Sequence, residues 1–259
     1  MYYFKSRIRY SEINSQGFLS MEALMNYFQD CSTFQSEDSG IGLEYLGQRD
    51  QAWVVNSWQV DVTRYPSLSE NVIIGTIPYE IKGFVGCRNF FMDTEDGKRL
   101  AVANSVWALI NMKTGSPVRV TPEIIEGYPI GDKLPMDYQP RKMSFPAEGI
   151  TKETAPIKVQ TFHLDTNQHV NNNQYISIGM GCLRALNDNN KTPNVGRLRA
   201  EYKMQAHLGD VIYPLCNVRT DEGRFIYTVS LNDENHKPYC IIEVTDNEQV
   251  TCQKEEQNV

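Results

Sequence analysis

The sequence predicts an α+β fold made of two tandem units, each a long helix lying on an antiparallel β-sheet. Three observations predict it. Two segments carry apolar residues at helical spacing; each is followed by a series of long β-patterned runs; and the two halves echo one another across a proline-rich break. A helix and a sheet each have one apolar face that neither can bury alone, so laying one on the other suits each half.

The first half opens with a short strand expected over "RIRYSEI" (7–13). In "LSMEALMNYFQDCSTF" (19–34), Leu24, Tyr27, Phe28, Cys31 and Phe34 recur every three or four residues, which is the period of one helix face. Ser20 is the expected N-cap, and "SGIG" (39–42) the stop. Strands are expected at 53–65, 71–81, 86–94 and 99–112, divided by turn signals such as "EDGK" and "KTGSP". The stripe Leu24, Tyr27 and Phe28 is core by default. Because helix and sheet meet along it, it is also where a long apolar ligand would bind. Trp53, Trp58 and Trp107 read as packing residues.

Residues 128–157 hold five prolines and little periodicity, and read as a linker. The order then repeats. A strand is expected over "KVQTFHL" (158–164) and a helix over "NNQYISIGMGCLRAL" (172–186), with Ile176, Met180 and Leu183 on one face. Strands follow near 197–206, 210–219, 224–231 and 238–245. The expected domains are 1–130 and 157–246, joined by a linker over 131–156 and trailed by a polar tail over 247–259.

Composition narrows the function. A net charge of −7 argues against a general nucleic-acid binder, which needs concentrated Lys and Arg. Four histidines, and six cysteines without a CxxC pair, give no metal-ligand spacing, and no cofactor is expected. No apolar run reaches membrane-spanning length. The N-terminus has no signal-peptide run, so the scattered thiols read as reduced and the setting as cytoplasmic.

One stretch carries chemistry: "DTNQHVNNN" (165–173). Asp165, Asn167 and His169 alternate, so in an extended segment their side chains point the same way. Imidazole, with an unperturbed pKa of about 6.5, is the natural general base near neutral pH. The Asn167 amide can polarise a carbonyl or hold a water, and Asp165 can orient either neighbour. Asn171 and Asn172 read as the cap of the helix that follows, and its N-terminus offers free N–H groups to a developing oxyanion. The first half echoes this stretch in "YSEINSQGFLSMEALMNYF" (10–28), where His169 falls opposite Gln16 or Phe18, depending on one gap. No ionisable base occupies that place. Chemistry is therefore expected in the second half and ligand binding in the first.

"LDTNQHVNNNQYI" resembles the active-site segment of the acyl-acyl-carrier-protein thioesterases, whose plant members carry a nearly identical stretch before a helix. The resemblance runs from "RIRYSEINSQG" through "SVWALINMKTGSPVRV" to "AEYKMQA", nearly the whole chain. It implies a tandem (double) hotdog fold, hydrolysis of fatty acyl thioesters on acyl carrier protein, and catalytic roles for Asp165, Asn167 and His169. The plant enzymes also carry a Glu–Cys pair where this chain has Gln205 and Ala206. A cysteine nucleophile therefore has no candidate there, and Gln205 can orient a water without taking its proton. The partner so implied is acidic, so docking on this acidic chain calls for a local basic patch; Arg197, Arg199 and Lys203, with Arg141 and Lys142, are the candidates. An acyl-CoA thioesterase and a non-catalytic acyl-binding hotdog protein are the alternatives, and the active form is a monomer or a homodimer.

Overall fold

A computed structural model describes residues 1–186 and 193–246. The tail expected over 247–259 lies outside the described residues. The chain divides into two compact units, one running to Tyr138 and one starting at Gln139, with Asn56–Gln59 grouped with the second.

The first unit contains β1 (Tyr2–Arg7), α1 (Met21–Asp38), α2 (Leu43–Gly47), β2 (Gln51–Val62), β3 (Asn71–Lys82), β4 (Val85–Thr94), β5 (Arg99–Asn111) and α3 (Pro122–Glu126). Its strands lie in the order β1-β3-β4-β5-β2, and β1, β3, β4 and β5 pair antiparallel along that order. Ser20 caps α1 as expected, its hydroxyl accepting from Ala23 N at 3.2 Å. Leu24, Tyr27, Phe28 and Cys31 form a buried stripe, and the Phe28 ring lies 5.4 Å from that of Phe90 on β4. Phe34 continues the stripe at the edge of this core, half exposed and edge-on to Phe4 of β1 at 5.5 Å. The unit also buries a guanidinium: Arg88 donates to Gln35 Oε1 at 3.0 Å and lies 5.0 Å over the Tyr128 ring.

The second unit contains β6 (Ile150–Glu153), β7 (Ile157–Lys158), α4 (Asn172–Leu186), β8 (Val195–Tyr202), β9 (Val211–Asp221), β10 (Arg224–Asn232) and β11 (Pro238–Asp246). Its strand order is β8-β11-β10-β9-β6, with β7 also on β9, all antiparallel. Tyr175, Ile176, Met180 and Leu183 of α4 are buried, as are Val229, Leu231, Ile242 and Val244 of the sheet. Gly179 lets the helix approach closely, since a Cβ there would stand 2.6 Å from Ile242 Cδ1.

Three expectations are corrected. The strand expected over 7–13 lies earlier, at β1, and Tyr10–Glu12 form a 3-10 turn whose Glu12 carboxylate accepts from Arg9 N at 2.8 Å. The strand expected over 158–164 is likewise cut to Ile157–Lys158, followed by a 3-10 turn at Thr161–His163 in which His163 Nδ1 accepts from Gln160 N at 3.0 Å. In both places a side chain captures a backbone N–H locally and ends the strand. Thirdly, part of the proline-rich segment is strand: β6 pairs with β9, although all of its residues are exposed and Ile150 is its one large apolar residue.

That segment is fastened at buried polar side chains. Asn89 Oδ1 accepts from Leu134 N and from the Tyr138 hydroxyl, both at 3.0 Å. Glu201 accepts from Met143 N at 2.7 Å, and Asn217 Nδ2 donates to Glu148 O at 2.9 Å. A buried polar group without a partner is costly, so each such bond holds its strap in place.

Truncating the centre of the α1 stripe tests the packing. Phe28→Ala is expected to lower stability by about 3–5 kcal/mol in urea titrations, and a loss below about 1 kcal/mol would mean that the ring does not pack as described.

Candidate active site

The stretch 164–171 is a closed turn, not an extended segment. Leu164 and Val170 bridge antiparallel, and Asp165 N donates to His169 O at 2.8 Å. Asp165 Oδ1 accepts from Asn167 N at 2.8 Å and His169 N at 3.3 Å. Gln168 takes a left-handed φ of 62° to close the loop. Asn171 N donates to His163 O at 2.9 Å, and Asn171 Oδ1 accepts from Asn173 N at 2.9 Å, which caps α4.

This corrects the alternation argument. Side chains of a turn do not project in strand fashion. Asn167 is exposed on the turn, and Asp165 is half-buried with its carboxylate spent on backbone N–H groups. Among the described residues, no hydrogen bond joins that carboxylate to the His169 ring. The cap also occupies Asn173 N, and Gln174 N donates to Asn171 O, which leaves fewer free donors at the helix start than expected.

A second segment completes the site. Val170 N donates to Ala206 O at 3.0 Å, Ala206 N to the Tyr175 hydroxyl at 2.8 Å, and His169 bridges His207. Gln205, exposed and just before Ala206, is thus brought beside the turn. The strand expected over 197–206 ends at Tyr202, so Gln205 is released from the strand's alternation. The rings of His169 and His207 meet edge to face, 4.9 Å between centroids. His169 is half-buried, and its pKa is pushed below the ordinary 6.5, first by burial and then by His207, with the Asp165 charge opposing. His163 is buried nearby, its pKa lowered by burial, and the acceptor role of its Nδ1 leaves the proton of the neutral ring on Nε2.

The remaining sequence-expected residues lie elsewhere. Leu24, Tyr27 and Phe28 belong to the core of the first unit, with the Tyr27 hydroxyl donating to Glu12 Oε2 at 2.8 Å. Arg199 is tied to Glu243 at 2.9 Å and to Pro140 O at 2.7 Å, and Lys203 to Glu201 at 2.7 Å. Arg197 is half-buried on the same strand. Among the described residues, no cluster of His, Cys, Asp or Glu could hold a metal ion, and no helix is long and apolar enough to cross a membrane. His207 was missed from the sequence, where nothing local marks it; only the bridge to His169 brings it to the site.

The first unit repeats this architecture. Ile13 bridges Leu19, Asn14 Oδ1 accepts from Gln16 N at 3.0 Å and Phe18 N at 3.2 Å, and Gly17 holds the left-handed place at φ 86°. Phe18 bridges Ser67. The register is thereby decided: Asn14 corresponds to Asp165, Phe18 to His169, and Ser67 to His207. One scaffold is used twice, and only the second copy carries imidazoles.

Residues 1–128 match the acyl-ACP thioesterase N-terminal domain, and residues 148–253 the C-terminal domain of the same family. The chain belongs to the acyl-ACP thioesterase family. Among curated relatives, an acyl-[acyl-carrier-protein] hydrolase of Cuphea viscosissima is 30% identical over 184 residues, 65% of this chain and 44% of that protein. A palmitoyl-acyl carrier protein thioesterase of Arabidopsis thaliana is 28% identical over 65% of this chain and 44% of its own length. Both relatives are described as chloroplastic, and the match spans less than half of each. An acyl-ACP thioesterase from Bacteroides thetaiotaomicron superposes with a TM-score of 0.77 at 22% identity, covering 93% of this chain and 96% of that one. The 12:0-ACP thioesterase from Umbellularia californica also gives 0.77, at 20% identity, covering 94% and 93%. The fold of this acyl-ACP thioesterase family member is the double hotdog that its sequence implied.

The Asn14 turn shows that a neutral amide suffices to close this loop. Asp165→Ala is expected to cost about 1–2 kcal/mol in thermal or urea unfolding by losing two hydrogen bonds, while Asp165→Asn keeps the turn and most of that stability.

Proposed function

We propose that this chain hydrolyses the thioester of fatty acyl-acyl-carrier protein, releasing free fatty acid and so ending fatty-acid synthesis. One observation carries the reading: a half-buried imidazole, its pKa pushed below the ordinary value by burial, stands on a hydrogen-bonded turn beside an exposed amide. The family match to both halves of the chain supports the substrate class.

The residues act as follows. Neutral His169 takes a proton from a water as that water attacks the thioester carbonyl carbon. The Asn167 amide donates to the developing oxyanion. When the C–S bond breaks, the imidazolium returns the proton to the departing thiolate. The Asp165 carboxylate favours the transient imidazolium, consistent with its upward pull on the His169 pKa. Gln205 holds the water through one accepting and one donating group. No covalent acyl-enzyme forms, since Ala206 stands where the plant enzymes have cysteine.

The first unit, with its apolar stripe at Leu24, Tyr27 and Phe28, is assigned to the acyl chain. Carrier docking is assigned to Arg141 and Lys142, which are exposed, because Arg199 and Lys203 are already engaged by acidic partners.

Two outcomes test the reading. His169→Ala is expected to lower kcat/KM on acyl-acyl carrier protein by about 10²–10⁴-fold, and equal release of free acid by both proteins would remove His169 from the chemistry. The same assay on acyl-CoA decides the carrier. With its pKa below 6.5, His169 remains a base as pH falls from neutrality through that value. The acid limb of kcat/KM is therefore expected below 6.5; a limb above it would assign the titration to another group.

A further inference from the structure

We propose that His207 is a positioning residue for this reaction: its ring, set edge-on against His169, fixes the orientation of that imidazole and governs when it is available as a base. The inference rests on the hydrolytic role proposed for His169.

Four observations support it. First, the contact is built into the backbone. His169 and His207 are partners in an antiparallel bridge, and the adjacent Val170–Ala206 hydrogen bond holds the two segments in register. Cross-strand partners lie side by side and interact directly. Secondly, His207 is itself anchored. Its N–H donates to Asp210 Oδ2 at 2.8 Å, and its Nδ1 stands 3.8 Å from the same oxygen. Thirdly, the exposures differ: the His207 side chain is 59% exposed, whereas His169 is half-buried. The His207 ring therefore faces solvent, and the His169 ring lies further in. Fourthly, the first unit places Phe18 and Ser67 at the two equivalent bridge positions. The scaffold needs no imidazole at either place, yet the second unit has one at both.

Among the described residues, several groups stand around His169. Asp165 faces it from its own turn, His207 with Asp210 behind it from the 203–210 segment, and the Tyr175 hydroxyl of α4 accepts from Ala206 N beside it. When His207 is protonated, like-charge repulsion at this distance disfavours a second proton on His169. A positive charge at position 207 thus lowers the basicity of His169, the direction in which His207 acts on it. Asp210 lies beyond His207, its Oδ2 3.8 Å from the ring's Nδ1.

The test uses the full chain and reads His169 twice, by NMR titration of labelled imidazole and by the pH profile of kcat/KM on acyl-acyl carrier protein. His207→Phe keeps an edge-on ring without charge, and is expected to move the His169 titration and the acid limb to higher pH. His207→Lys places a lasting cation there, and is expected to move both to lower pH. Both are expected to lower kcat with KM little changed, by under about tenfold against the roughly 10²–10⁴-fold of a lost general base. Should His207→Phe fail to fold, His207→Gln serves as the neutral variant with the same expected direction. The proposal is overturned if His169 titrates alike in wild type, the neutral variant and His207→Lys. Failure of the hydrolytic reading looks different: His169→Ala would then keep full activity, while the NMR titrations would still differ among the His207 variants.

Discussion

The grip of the Asp165 carboxylate on two backbone N–H groups is the interaction on which the candidate site depends. It closes the loop from Leu164 to Val170 and sets the path by which the chain enters α4. With the loop closed, His169 falls at the bridge to His207, and Val170 reaches Ala206. The carboxylate's two hydrogen bonds add to the backbone bridges that place His169, and an imidazole without fixed geometry is a poor general base. The same device in the first unit uses Asn14, where no charge is needed. A carboxylate in the second unit closes the turn equally well and adds a negative charge beside the imidazole.

Packing supplies the rigid frame beneath. Each helix lays one apolar stripe on its sheet, and close approach in the second unit depends on Gly179 against Ile242. Burial of a Phe or Leu side chain contributes roughly 1.5–3 kcal/mol, so a stripe of four or five such residues outweighs any single polar contact at the site. Straps over each unit are held differently. Asn89, Glu201 and Asn217 are buried and seize backbone groups of the proline-rich segment, which has little apolar surface of its own.

Much of the fold was legible in the sequence because its signals are local. The stripe of α1, its Ser20 cap, the turn dipeptides and the long β runs each follow from a few neighbouring residues. The errors fall where a side chain overrides the pattern. Glu12 and His163 capture backbone N–H groups and turn expected strands into 3-10 turns. β6 was missed because edge pairing to β9 rests on backbone hydrogen bonds, for which four exposed residues without alternation in burial give no sign.

The candidate site divides in the same way. The sequence by itself determined the residue types and their order: a lone histidine-bearing copy of a repeated turn, an acid and amides around it, and a glutamine and an alanine at positions 205 and 206. Only the tertiary structure decided the register of the repeat, the use of Asp165 on the backbone, and the meeting of His169 with His207. The reason is physical. Residue types and helical or strand periods are properties of short segments, whereas the bridge between residues 169 and 207 exists only after α4 and β8 have packed and returned the chain to the same place.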